Sequence, residues 1–169
     1  RIGRKHKILG IVVEQALQRP SGEIIAKSLS TGAILRAQRL LSIRPVGRRA
    51  EEGVHVHGVR WRTHGKQERI IPGELHVLIG RDGRLVLVNE VDIETAINGV
   101  VPSESFPRAD LAALQAQAVI ARGHVLAKLG LRHPGEPYHL CATPHCQTYT
   151  GLGKVSAHTA EAVESSRGE

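Results

Sequence analysis

Residues 74–90 read ELHVLIGRDGRLVLVNE, and residues 109–129 read ADLAALQAQAVIARGHVLAKL. The two stretches obey different periods. In the first, the apolar runs Glu74–Ile79 and Arg84–Val88 flank Gly80-Arg81-Asp82-Gly83. An Asp-Gly pair between two such runs signals a β-hairpin. In the second, Leu111, Leu114, Ala118, Ala121, Val125 and Leu129 recur at gaps of three and four, which is one apolar face of a helix. Asp110 near its start and Lys128 near its end suit the helix dipole, and Gly130 stops it. Strands first and helices after predict an α+β fold: a β-rich N-terminal part, then a long amphipathic helix and a loop-rich C-terminal part.

Reading outward, Val54, Val56, Val59 and Trp61 suggest a further strand, and Ile8–Val13 and Glu23–Ile25 give weaker strand signals. Ile34–Leu41 fits a strand or a short helix. The polar run Arg48 to Gly53 predicts a boundary, with a basic, weakly β segment over 1–53 and the main domain over 54–169. Asp92–Asn98 predicts a short helix stopped near Gly99, and 100–107 a connector with a proline near each end. Residues 131–153 are rich in Pro and Gly, and Thr159–Ser165 predicts a last short helix.

Composition bounds the function. The chain has 169 residues, 41% hydrophobic and 23% charged, which is ordinary for a globular protein. With one Trp, one Phe and two Tyr, the core must be built from Val, Ile, Leu and Ala. Aromatic platforms for single-stranded nucleic acid are nearly excluded on the same ground. No apolar run approaches the roughly 18–20 residues of a membrane span. There is no Met, so Arg1 is not a natural start and an excerpt is expected. The formal charge of +7 is unevenly spread. Residues 1–50 hold 11 basic and 2 acidic residues, a net of +9; the rest, with 12 and 14, carries −2. The basic third could meet an anionic wall polymer or another polyanion, or be a solvated basic face. No nucleic-acid-binding motif is present, and no nucleic-acid partner is expected.

Three groups could carry chemistry. Glu104 follows Val100 and Val101 and precedes Phe106. A carboxylate among apolar groups loses hydration of its charged form, which suits a general acid; alternatively Glu104 caps the next helix. Glu90, Asp92 and Glu94 form a second acidic group, either a solvated helix start or the source of a second catalytic carboxylate. The run from His133 through His139-Leu140-Cys141-Ala142-Thr143-Pro144-His145-Cys146 places soft donors at short spacing. Zinc, a local disulfide and free buried thiols all fit that pattern. His55, His57, His64 and His76 on β segments read as surface or core histidines.

Five motifs, in order, carry a family resemblance. They are Val88-Asn89-Glu90-Val91 with Glu94; Gly99-Val100-Val101-Pro102-Ser103-Glu104; Leu114 through Arg122; Leu140-Cys141-Ala142-Thr143-Pro144-His145-Cys146-Gln147-Thr148-Tyr149-Thr150-Gly151; and Ala162-Val163-Glu164-Ser165-Ser166-Arg167-Gly168. Together, over roughly residues 75–169, they resemble the SpoIID/LytB domain of the stage II sporulation protein D family. The sequence departs from the common family pattern at Ser105, at Gly123-His124 and at His139. The family domain also continues past the Arg-Gly motif, so a C-terminally truncated domain is expected.

The resemblance implies a lytic transglycosylase that cleaves peptidoglycan glycan strands, with Glu104 as catalytic acid/base. It implies an extracytoplasmic location: periplasm, cell wall or secreted. It points to Cys141 and Cys146, with His133 and His145, as ligands of a structural zinc ion. Ser103, Gln117, Arg122, Gln147 and Tyr149 are the expected substrate contacts. The LytB branch supplies the alternative, a non-catalytic wall-binding or amidase-enhancing module.

Overall fold

The computed structural model describes residues 5–8, 11–16, 22–45, 53–61, 65–106 and 108–169; for 5–16 and 58–67 only the backbone is described. The expected boundary at Arg48–Gly53 therefore falls largely outside the described residues, as do residues 1–4, 9–10 and 17–21 of the basic N-terminal third. The chain forms two compact units, Arg1–Glu90 and Val91–Glu169.

The first unit is antiparallel β. One sheet has the order β4-β3-β2-β1-β6-β7, formed by β1 (Lys5–Ile8), β2 (Ile11–Ala16), β3 (Glu23–Ser28), β4 (Ile34–Ala37), β6 (Val54–Trp61) and β7 (Gly65–Ile71). The other has the order β5-β8-β9, from β5 (Leu40–Ile43), β8 (Glu74–Ile79) and β9 (Leu85–Glu90). Residues 34–41, open between strand and helix in the sequence, are the end of one sheet and the start of the other. The hairpin β8–β9 forms where the Asp-Gly pair predicts it. Gly80 N–H donates to the Arg84 carbonyl at 2.7 Å, and Gly83 takes a φ of 71°, which favours glycine. Period-2 alternation puts Leu75 and Val77 of β8 inward, where they join Ile24, Leu41, Val54, Val56 and Ile71. Among the residues whose side chains are described, this core contains no aromatic ring.

The second unit holds α1 (Ile93–Glu104), α2 (Leu111–Lys128) and α3 (Ala157–Ser165) around a core of Ile97, Val100, Val101, Leu114, Ala118, Ala121, Val125, Ala162 and Val163. The buried stripe of α2 follows the sequence pattern, except that Leu129 is 44% exposed beyond the helix end. Ser156 caps α3 through a capping box with Thr159.

Helix α1 corrects the sequence expectation. It does not stop near Gly99 but runs to Glu104, absorbing most of the predicted connector. Gly99 serves close packing: a Cβ there would lie 2.4 Å from Tyr149 Cε2. Pro102 costs the helix one N–H, but it sits two residues from the end, where few turns remain to be broken. Asp92 starts the helix by accepting from the Thr95 N–H at 3.0 Å.

Candidate active site

The extension of α1 decides where Glu104 lies. It is the last helical residue, and its side chain is exposed. The apolar enclosure expected from the sequence is not built: Phe106 is 86% exposed, while Val100 and Val101 point into the helical core. Two donors hold the carboxylate instead. The Thr148 N–H donates to Glu104 Oε1 at 2.6 Å, and Gln147 Nε2 donates to Oε2 at 3.2 Å. Both come from the loop after Cys146. Glu104 does not cap α2; Asp110 occupies that position.

The neighbours of Glu104 fasten the same loop to α1. The Ser103 hydroxyl donates to the Gly99 carbonyl at 2.7 Å, so the Thr150 hydroxyl donates to Ser103 Oγ, at 2.6 Å. Tyr149 packs against Gly99 at the edge of the helical core. Ser103 and Tyr149 thus tie loop to helix. Gln147 is only 5% exposed, and its amide faces Glu104 rather than open cleft. Gln117 is half-buried on α2. Arg122 is 4% exposed, with Nε donating to Glu94 Oε1 and NH2 to Oε2 at 2.9 and 2.8 Å. It also donates to the Val163 carbonyl and to Ser166 Oγ. That side chain is a buried tie between the three helices and does not face a cleft.

The acidic group before α1 is also spoken for. Asp92 caps the helix, Glu94 pairs with Arg122, and Glu90 in the first unit meets His76 Nε2 at 2.7 Å. Ten residues along a helix separate Glu94 from Glu104, about 15 Å of axial rise. Paired glycosidase carboxylates lie much closer, at most about 9.5 Å apart. Neither Asp92 nor Glu94 is therefore a partner for Glu104.

The Cys-His run gathers in one place. One ligand atom from each of His133, Cys141, His145 and Cys146 lies within 4.8 Å of all the others. His133 Nε2 is 3.1 Å from Cys146 Sγ; His145 Nδ1 is 3.5 Å from Cys146 Sγ and 3.6 Å from Cys141 Sγ. Tetrahedral zinc with bonds of about 2.0–2.3 Å needs ligand-to-ligand edges of roughly 3.5 Å, so donor types and spacing fit that ion. Both cysteines are free thiols. Burial opposes ionisation of each. At Cys141, hydrogen bonds with Thr143 and Cys146 outweigh it and hold the thiol below its ordinary value; at Cys146, burial and the adjacent Cys141 push the thiol up. His139, on the same run, is exposed and outside the cluster. Lys128 Nζ, at the end of α2, donates to the Cys146 carbonyl at 2.7 Å and anchors the loop.

In the first unit, Glu74, His76 and Glu90 also converge. His76 Nδ1 already bonds Ser42 Oγ at 2.9 Å, and Arg44 pairs with Glu74. A guanidinium on that carboxylate opposes a bound cation, and the group reads as a polar network on the sheet. His57 pairs with Glu68, and His64 lies outside the described residues.

A glutamate at a helix end, held by a loop that also carries a thiol–imidazole cluster, defines a compact helical site domain. Residues 81–169 match the family described as stage II sporulation protein, SpoIID. This is more than half of the chain, and the chain belongs to that family. An uncharacterized protein of Brachyspira hyodysenteriae (strain ATCC 49526 / WA1) is 33% identical over 85 residues. That stretch covers 50% of this chain and 23% of the relative, so the chain spans less than a quarter of that protein. No solved structure matches. No helix among the described residues is long and apolar enough to cross a membrane.

Proposed function

We propose that the second unit is a lytic transglycosylase domain acting on peptidoglycan glycan strands outside the cytoplasm. The observation that carries the reading is Glu104: an exposed carboxylate at a helix end, oriented by the Thr148 N–H and the Gln147 amide, with Asp92 and Glu94 engaged elsewhere. A one-carboxylate site suits this reaction. Glu104 protonates the glycosidic oxygen between N-acetylmuramic acid and N-acetylglucosamine. The same carboxylate then takes the proton from the muramic 6-hydroxyl as that oxygen closes on the anomeric carbon. The nucleophile is intramolecular, so its effective molarity replaces the water that a second carboxylate would activate.

His133, Cys141, His145 and Cys146 would hold one zinc ion, which when bound supplies folding energy to the loop. The chain's own residues do the rest: Lys128, Ser103 and Thr150 fasten the loop, and Thr148 orients the acid.

Mass spectrometry of products from purified glycan strands tests the reading. The expected product ends in 1,6-anhydro-muramic acid. Reducing ends would indicate a hydrolase, and release of no fragment would indicate a wall-binding or amidase-enhancing module.

A further inference from the structure

Gln147 orients Glu104 through one end of its amide, and the proposed chemistry leaves the other end unexplained. It is 5% exposed, so it is poorly placed to meet a sugar. Its Nε2 donates to Glu104 Oε2 at 3.2 Å, yet its Oε1 is buried and has no hydrogen-bond partner among the described residues. A buried amide oxygen left unbonded is costly, of the order of 1–3 kcal/mol. Such a group in a folded protein calls for an explanation, and use in another state of a catalytic site is one.

The second state follows from the chemistry of the pair. An ionised carboxylate only accepts hydrogen bonds, whereas a protonated one also donates. Beside ionised Glu104, the amide must present Nε2. Beside protonated Glu104, an acceptor at the same place takes the O–H that the acid can now donate. The two ends of a glutamine amide have nearly the same shape, so a half-turn of the amide exchanges them without repacking. An acid/base group that works in both directions meets both conditions in each turnover. The Thr148 N–H donates to the other oxygen, Oε1, and is part of the backbone, so it cannot make the exchange.

We propose that Gln147 is a positioning residue that holds Glu104 in both protonation states, donating through Nε2 to the carboxylate and, after rotation of its amide, accepting through Oε1 from the protonated acid. No bond other than hydrogen bonds forms or breaks. The inference rests on Glu104 being the acid/base of the proposed reaction, and it assigns the device that keeps that group aimed as its proton comes and goes.

The test is NMR on the full chain, labelled at the Glu carboxyl carbons and the Gln side-chain nitrogens, with Glu104→Gln used to assign Glu104. The ionisable groups nearest along this loop are the thiols and imidazoles of the Cys-His cluster, with the Lys128 ammonium on the Cys146 carbonyl. Spectra with and without one equivalent of zinc separate their titration from that of Glu104. The expected result is a Gln147 amide signal that follows the Glu104 carboxyl with one midpoint and loses its pH response in Glu104→Gln. Gln147→Met removes both ends of the amide at similar size. It is expected to move the Glu104 midpoint up, because the charge-assisted bond lost by the ionised form outweighs the neutral bond lost by the protonated acid. It should also lower kcat by on the order of 10-fold with KM within about 2-fold, as fits a lost hydrogen bond to a charged group. Gln147→Glu should give two coupled midpoints. A Gln147 amide signal indifferent to Glu104, with the same Glu104 midpoint in folded wild type and variants, overturns the proposal. A protein that shows the coupling but releases no glycan fragment would sink the enzymatic reading and leave the Gln147 device standing.

Discussion

Glu104 and Arg122 show how little a residue's type says about its role until its partners are known. Both are charged and both fall in the family motifs. Glu104 ends up exposed with two donors on it; Arg122 ends up 4% exposed. The contrast yields opposite expectations for substitution. Glu104→Gln keeps the shape and removes the titratable proton, so the melting temperature should hold while glycan cleavage falls by at least about 100-fold, the usual cost of losing an acid/base group. Full activity in that variant would remove Glu104 from the mechanism. Arg122→Met leaves the Glu94 carboxylate in a largely buried setting without its guanidinium. Breaking such a pair from one side costs about 3–5 kcal/mol. Urea unfolding should show that loss, and Glu94→Leu added to Arg122→Met should recover part of it. A variant that unfolds like wild type would mean that the tie between the helices carries no weight.

At the level of elements, α1 is the piece on which the site depends, since Glu104 is its last residue. Its start is set by Asp92, whose carboxyl is held below its ordinary value of 3.8, first by its hydrogen bonding with Thr95. A depressed carboxyl adds stability that is complete above its unfolded value and drains away as pH falls through the lower folded value. Asp92→Ala should therefore cost about 1 kcal/mol at neutral pH. The gap between variant and wild type should close as pH drops below about 3.8, which thermal melts across an acid series would show. A gap that persists at low pH would rule out the charge as its source. Helix α2 offers the complementary case. Ala118 has no exposed surface and lies in the helical core, so Ala118→Phe should overpack it and cost on the order of 1–3 kcal/mol. An unchanged melting temperature would put the apolar face of α2 elsewhere.

Across the whole molecule, the family match and the physical division do not coincide. The match starts at residue 81, in the β8–β9 turn, while the second compact unit starts at Val91. Everything proposed for catalysis lies in the second unit. Its long segment between α2 and α3 has no regular structure; it is tied down by Lys128 at the Cys146 carbonyl and by the bonds of Gln147, Thr148 and Thr150 to α1, and it carries the Cys-His cluster. If zinc occupies the cluster, metal analysis of protein purified without chelator should find close to one ion per chain. Chelation should then lower the melting temperature, because binding energy at a structural site is folding energy. A metal content near zero together with a Cys141–Cys146 disulfide in the peptide map would overturn the zinc assignment.

Periodicity placed strands before helices, though it left residues 34–41 open between the two. The β8–β9 hairpin, the buried stripe of α2 and an aliphatic core all follow from local patterns of period two and 3.6 and from the scarcity of aromatics. The Cys-His run was legible because its four donors are close in sequence. The path of α1 was not, because Gly99 and Pro102 are local stop signals that only tertiary contacts overrule. The Tyr149 ring fills the space that Gly99 leaves, and Tyr149 is fifty residues away in the chain. The environment of Glu104 was misread for the same reason. Its sequence neighbours are apolar, but helix geometry turns Val100 and Val101 inward and leaves the carboxylate outside, to be met by Gln147 and Thr148. Hydrogen bonds between segments more than forty residues apart leave no periodic trace in a sequence. The roles of Gln147 and Arg122 were therefore decided only when the loop and the three helices came together.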